Sequence, residues 1–381
     1  MLIEIHMLKN YPPTNLNRDD TGSPKSCWFG GVQRGRISSQ CLKRSWRKSQ
    51  ILQEKVGKSG LGIRTRKLPE LVAELLRSNG VEEEFIKVAC RKLSGFGNAD
   101  GKENKDGDYT AQIAFYSPDD IQTVASLVLD EIKNAGDLKA FEATSAKQWQ
   151  EKLAKVAFRP ITLDIALFGR MVTSDAFADV EAAMQVAHAI STHRVAMETD
   201  FFTAVDDMVG GDSTSDLGAG MMGDVDFNSC CYYIYASIDL DQLKSNLANS
   251  PDVEKIVEEA VPKLVETMAY SNPSGKQNTF AGNVLPEAVL VECKQKKIAT
   301  SYANAFVKPA AASADKDLVE NSIEKLIQEV RTVHKDYALE VEKRLWFCKS
   351  KYDYPLDGVD HVRCESFRQV TEELYDVLSS K

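Results

Sequence analysis

In the segment "LIEIHML", Ile3, Ile5 and Met7 alternate with Glu4 and His6, which predicts a half-buried first strand over residues 2–8. The next segment, "KNYPPTNLNRDDTGSPKSCWFGG", is crowded with Pro, Asn, Asp and Gly and reads as a loop or irregular hairpin. A helix is expected from "RISSQCLKRSWRKSQIL", with Ser38 or Ser39 as its N-cap. Leu42 and Trp46, four apart, face the core, while Gln40, Lys43, Arg44 and Arg47 fall together on another face. Helical periodicity dominates residues 68 to 158, interrupted by the polar loop "GNADGKENKDGDY". Strand character is expected again at "TLDIALFGRM", followed by a helix over "ADVEAAMQVAHAIST". Two strands flanking a long glycine-rich tip fit residues 196–226, and "SCCYYIYASIDL" and "EAVLVEC" read as strands. Further helices are expected near 252–270, 317–345 and 366–379.

This order places the chain in the α+β class. A strand, a helix, two strands, a helix and a strand make the skeleton of a ferredoxin-like or RNA-recognition-motif sheet, here interrupted by helical and hairpin insertions. A chain of 381 residues requires more than one packed unit.

Charge changes the picture. The chain is acidic overall, at net −9, yet residues 1–68 hold 14 Lys and Arg against 4 Asp and Glu, and the remainder holds 33 against 52. The stretch "RGRISSQCLKRSWRKS", residues 34–49, contains no carboxylate at all. Stacked cations on a helix without acidic i,i+4 partners repel one another by a few tenths of a kcal/mol per pair. The counterweight is either an external polyanion or acidic patches of the same fold or of a neighbour, and charge alone favours neither.

Other chemistry is sparse. The eight cysteines form no C-x-x-C pair and suit a reducing compartment with buried thiols. His361 and Cys364 lack further ligands at zinc spacing, so no metal or cofactor is expected. His188 and His193, five apart, do not align on a helix, and no G-x-S-x-G, P-loop or dinucleotide fingerprint is present. No apolar run reaches the length of a membrane span, the N-terminus lacks a signal-peptide pattern, and the cytoplasm is the expected location.

Seven segments in fixed order resemble one family: "LNRDD", "FGGVQRGRISSQCLKRSWRKS", "DIALFGRMVTSD", "VAHAISTHRV", "DFFTAVDD", "GKQNTFAGN" and "YANAF". They are similar to the CasC backbone subunits of the type I-E CRISPR Cascade complex, which binds guide RNA. The resemblance implies a hand-like subunit. Its palm, a modified RNA-recognition-motif fold, would take residues 1–57, 179–195 and 227–381. Helical fingers would take 58–178, and a β-hairpin thumb 196–226.

It further implies a non-enzymatic scaffold. Copies would stack along guide RNA in a filament with other Cascade subunits, leaving the RNA to pair with target DNA. By the resemblance, Arg18, Lys25, Ser38, Ser39, Gln40, Lys43, Arg44, Arg47 and Lys276 hold the guide backbone, and Met171 packs beside a flipped nucleotide. Phe202, Thr203 and Leu217 wedge where a base leaves the stack. Cations and helix N-terminal amides suit such a sequence-independent reader, because they grip phosphate and leave base edges alone. Lys139, Lys147, Lys152 and Lys155, in the helical block, are candidate DNA contacts mixed with Glu142 and Glu151.

Two alternatives stand beside this reading. Asp19 and Asp20 lie where RNA-cutting relatives keep an aspartate, and carboxylates there would hold Mg²⁺. A generic single-stranded RNA-binding protein would share the charge and fold signals but would coat RNA without a fixed subunit count.

Overall fold

The computed structural model describes residues 1–56, 60–104, 107–156, 160–172, 176–204 and 221–380. The chain divides into two compact units, one built from 1–52, 186–237 and 261–381, the other from 53–185 and 238–260. The strands in chain order are β1 (Leu2–Thr14), β2 (Ser26–Phe29), β3 (Val32–Ile37), β4 (Ile63–Thr65), β5 (Ala114–Tyr116) and β6 (Met184–Val186). They continue with β7 (Ala189–Ser191), β8 (Glu198–Ala204), β9 (Met221–Asp239), β10 (Ala288–Lys294), β11 (Lys343–Cys348) and β12 (Val362–Cys364).

In the first unit the strands run β12-β11-β10-β1-β9-β7-β3-β2, with β8 paired to β9 off this path. β1–β10, β10–β11, β2–β3, β3–β7, β7–β9 and β8–β9 pair antiparallel, while β11 and β12 are parallel. Helix α1 (Ser39–Arg47) directly follows β3, and the helix Val253–Tyr270 lies in the crossover from β9 to β10.

β1 is longer than its alternation predicts and is buried on both sides, because both faces of the sheet are covered. On one face Leu8, Tyr233, Leu290 and Trp346 pack against Ile323 and Leu326 of the helix Leu318–Tyr337. On the other, Phe347 meets Phe367 of the helix Phe367–Ser379 at 6.1 Å. Glu4 and His6, expected to face solvent, are therefore fully buried. They are compensated locally, since Lys294 pairs with Glu4, and Arg344 Nε bonds Glu292 at 2.6 Å. His6 Nδ1 shares a 2.8 Å hydrogen bond with the Tyr233 hydroxyl. Burial pushes the His6 imidazole down to about 3, against the weaker pull of Glu292.

One other expectation is refined and several are corrected. "FGGV" forms a tight hairpin between β2 and β3, with Gly30 and Gly31 both at positive φ (61° and 78°), the geometry of a two-residue primed turn. The "TLDIALFGRM" segment is helical over Leu163–Phe168, not a strand. The helix expected over "ADVEAAMQVAHAIST" is instead β6 and β7, since partners on β3 and β9 override local propensity at Ala189–Ser191. The helix expected to reach 345 stops at Tyr337, and β11 follows.

The second unit is helical, packed around Leu76, Phe96, Val124, Phe141 and Trp149, and carries the small antiparallel pair β4–β5. It contains the helical block expected over 58–178 and also takes in 238–260. Among the described residues no helix is long and apolar enough to cross a membrane.

Candidate nucleic-acid interface

The end of β1 organises the first unit's candidate site. Asn15, buried where the strand stops, donates through Nδ2 to the carbonyls of Gly22 (2.9 Å) and Asp226 (2.8 Å). Two residues on, Asn17 accepts the backbone N–H of Ser38 at 2.8 Å, and its own carbonyl takes the N–H of Lys25 at 2.8 Å. One short segment thus fixes the first loop, the entry of α1 and the base of the β8–β9 hairpin.

Ser38 is the N-cap of α1, its hydroxyl accepting from Cys41 N at 3.3 Å. From that fixed start the helix exposes Gln40 and Arg44, half-buries Ser39 and Lys43, and is followed by the exposed Lys48. Burial lowers the pKa of the Lys43 ammonium. Arg47 departs from the expected shared face: it is only 7% exposed. The helix ends there and the chain turns into a second helix, Gln50–Val56, so single-helix periodicity no longer decides exposure.

Two more of the nine cations in residues 1–52 are also buried. Lys9 donates to the carbonyls of Ala269 and Ser271. Arg34 spends its guanidinium on the carbonyls of Phe29, Ser191, Phe306 and Val307. Part of the cationic excess therefore ties backbone together rather than facing a ligand.

The rest converges. A cavity of about 950 Å³ is lined by Arg18, Arg44, Lys48, Asn272, Ser274 and Gly275, among others. Asp19 and Asp20 lie on the same wall, so the cavity is not uniformly cationic. Asp19 is committed to its own loop, accepting from Thr21 N (3.0 Å), Thr21 Oγ (2.7 Å) and Ser23 N (3.0 Å), and these bonds hold its carboxyl below the usual range. Among the described residues no group of three or more His, Cys, Asp or Glu is placed to hold a metal ion.

Lys276 stands beside this wall at φ 49°, a left-handed conformation unusual for a lysine. Its loop is pressed onto the end of β1: a Cβ on Gly275 would meet the Leu16 carbonyl and lie 2.7 Å from that of Asn15. Gln277 Nε2 staples the loop by bonding Pro273 O at 2.8 Å and Gly282 O at 3.3 Å.

The hairpin base joins the same cluster. Asp226 accepts from Ser23 Oγ (2.6 Å) and Thr199 Oγ (2.7 Å), and Phe227 meets Phe280 at 5.6 Å. β8 is exposed along its whole length. Phe202 and Thr203 lie opposite Gly223 and Met222, and the Phe202 ring occupies the space a Cβ on Gly223 would need. Leu217 lies outside the described residues. Met171 belongs to the second unit and is 86% exposed, next to Arg170, which is buried against Asp120 at 2.7 Å. Of the four lysines noted in the helical block, Lys152 is paired with Glu131 at 2.6 Å.

Sequence reading missed Asn15, Asn17, Lys48, Gly275 and Gln277 as site residues. "TNLN" between a strand and a cationic loop was the available signal, since buried Asn is costly unless it organises neighbouring backbone.

A family model described as CT1975-like protein matches residues 3–373. A chain of a "CRISPR RNA-guided surveillance complex, pre-nicking" superposes with a TM-score of 0.83 at 25% identity, covering 99% of this chain and 100% of that one. A chain of another "CRISPR RNA-guided surveillance complex" superposes with a TM-score of 0.63 at 21% identity, covering 99% of each, and shares the fold. No curated protein matches.

Proposed function

The chain belongs to the family of CT1975-like proteins, and from that premise we propose that it is a non-catalytic, multi-copy backbone subunit of a type I-E CRISPR surveillance complex. It grips guide RNA through phosphates, without regard to sequence, and presents it to target DNA. The similar solved chain belongs to a CRISPR RNA-guided surveillance complex, which supports the setting. The motif order supports the type I-E assignment.

The observation that carries the reading is the convergence of Arg18, Arg44 and Lys48 on one cavity, with the α1 N-terminus and Lys276 beside it. Exposed cations that hold the sugar–phosphate strand suit a backbone reader. In this reading the large sheet is a modified RNA-recognition-motif palm, the second unit holds the fingers, and β8 with the start of β9 forms the thumb. Phe202 and Thr203 then act as wedge, and Met171 beside the displaced nucleotide. Asp19 is used by its loop, which favours a scaffold over a nuclease.

The test is the native mass of the particle purified with its RNA from the cytoplasm. A fixed multiple of the 42.3 kDa chain on one RNA is expected. A broad distribution would point to random coating, and Mg²⁺-dependent cutting of a complementary RNA lost in Asp20→Ala would point to a nuclease.

A further inference from the structure

The second unit has its own share of the cationic N-terminal region: residues 53–68 contain Lys55, Lys58, Arg64, Arg66 and Lys67 against Glu54 alone. Two of these are placed in a distinctive way. Arg64 lies directly opposite Phe115 in the β4–β5 ladder, its guanidinium 5.8 Å from the ring centre. Arg66, just past β4, sits 6.0 Å from the ring centre of Tyr109, and its Nε donates to Thr110 O at 2.7 Å. The Thr110 N–H returns a 2.8 Å bond to Arg66 O, which prolongs the ladder. Both arginines are exposed, and among the described residues neither makes an ion pair, whereas neighbouring Lys67 is paired with Glu70 at 2.8 Å.

Strand alternation puts residues 64 and 66 on one face, about 6.6 Å apart along the chain. The platform is braced from behind. Buried Arg170, held by Asp120, reaches the Phe115 carbonyl at 3.4 Å, and Gly62 N–H bonds Asp164 at 2.8 Å. Exposed, unpaired cations on a braced surface in an acidic protein need a reason. An exposed guanidinium beside a ring offers N–H groups for phosphate and a planar cation that stacks on a base.

We propose that the Arg64–Phe115 and Arg66–Tyr109 pairs form a second nucleic-acid contact, which takes a single strand by phosphate bonding and base stacking. A duplex keeps its base faces stacked internally and offers only phosphates, so it would leave the half-exposed Tyr109 ring and the guanidinium planes unused. The inference stands on the second unit alone and does not depend on the guide-grip reading of the first.

Photocrosslinking the full chain to a thiopyrimidine-containing single-stranded DNA, the same sequence as RNA, and the matching duplex, with peptide mapping, tests it. Crosslinks in residues 107–116 from a single strand are expected, with the stronger of the DNA and RNA arms naming the source. Arg64→Ala with Arg66→Ala should cut those crosslinks about 10-fold or more, while crosslinks in residues 18–48 persist. Arg64→Lys with Arg66→Lys, which keeps the charge but loses the planar guanidinium, should fall between. Absence of single-strand crosslinks in 107–116, equal crosslinking by the duplex, or parallel loss at both regions in the alanine variant would overturn the proposal.

Discussion

Asn17 Oδ1 accepts the backbone N–H of Ser38 at 2.8 Å, so the residue that opens the first loop also fixes the N-cap of the cationic helix. Removing that acceptor frees the entry of α1, while the backbone bond from Lys25 N–H to Asn17 O remains. Asn17→Ala is expected to cost about 1 kcal/mol of stability, the usual net value of one hydrogen bond, and to weaken guide-RNA binding several-fold at unchanged fold. Thermal melting alongside filter binding separates the two effects. A stability loss without weaker RNA binding would leave Asn17 a purely structural residue.

The burial of Arg47 divides the helix cations into two kinds. Lys43→Glu with Arg44→Glu should leave the melting temperature nearly unchanged and abolish RNA loading for every spacer. Arg47→Ala should instead lower stability, by about 1–3 kcal/mol if its buried polar contacts are left unmade. Circular dichroism melts of both variants decide this. A destabilised double mutant with a neutral Arg47→Ala would reverse the assignment.

Gly275 fits under the backbone of Asn15 and Leu16 with no room for a methyl group. Gly275→Ala should push the Lys276 loop off the end of β1, weakening RNA binding more than it lowers stability. Gly22→Ala is not an equivalent control, because Gly22 is at φ 92°, where any side chain is strained. Equal RNA binding by Gly275→Ala and wild type would remove Lys276 from the site.

His6 makes the fold acid-sensitive. Its imidazole is held down to about 3 in the folded chain against 6.5 in the unfolded one, so below pH 6.5 the unfolded state binds a proton that the native state refuses. Its effect is nil above pH 6.5, and stability falls by about 1.4 kcal/mol per pH unit as pH drops from there toward 3. Glu292, held below its ordinary value of 4.5, adds to the loss at the acid end. Urea unfolding between pH 7 and 5 should show this slope, and His6→Gln should flatten it. An unchanged slope in the variant would place the acid sensitivity elsewhere.

Much of this was readable from residue order. The first strand, the helix after it, "SCCYYIYASIDL", "EAVLVEC" and the helices at 253–270 and 367–379 all announce themselves by periodicity and caps. What periodicity could not show is what covers a surface. β1 alternates like a half-buried strand, yet helices cover both faces and the polar positions become an internal charge cluster. "ADVEAAMQVAHAIST" carries helix-forming residues, but its strand partners on β3 and β9 come from distant sequence. The same limit applies to the site. Charge density marked residues 34–49, while only the fold shows that Arg34 and Arg47 turn inward and that Lys48 and Gly275 share a wall with Arg18. Asn15 and Asn17 were hidden because their role is to join segments far apart in sequence.

The most direct test of the central claim is the affinity of the full chain for two unrelated RNAs of equal length, measured across a salt series. The account predicts matching affinities and parallel lines of log affinity against log salt, with a slope of about −0.7 per phosphate held, and a shallower line for Arg18→Ala with Arg44→Ala. Affinities that differ strongly between the two sequences, or a slope untouched by that double substitution, would contradict it.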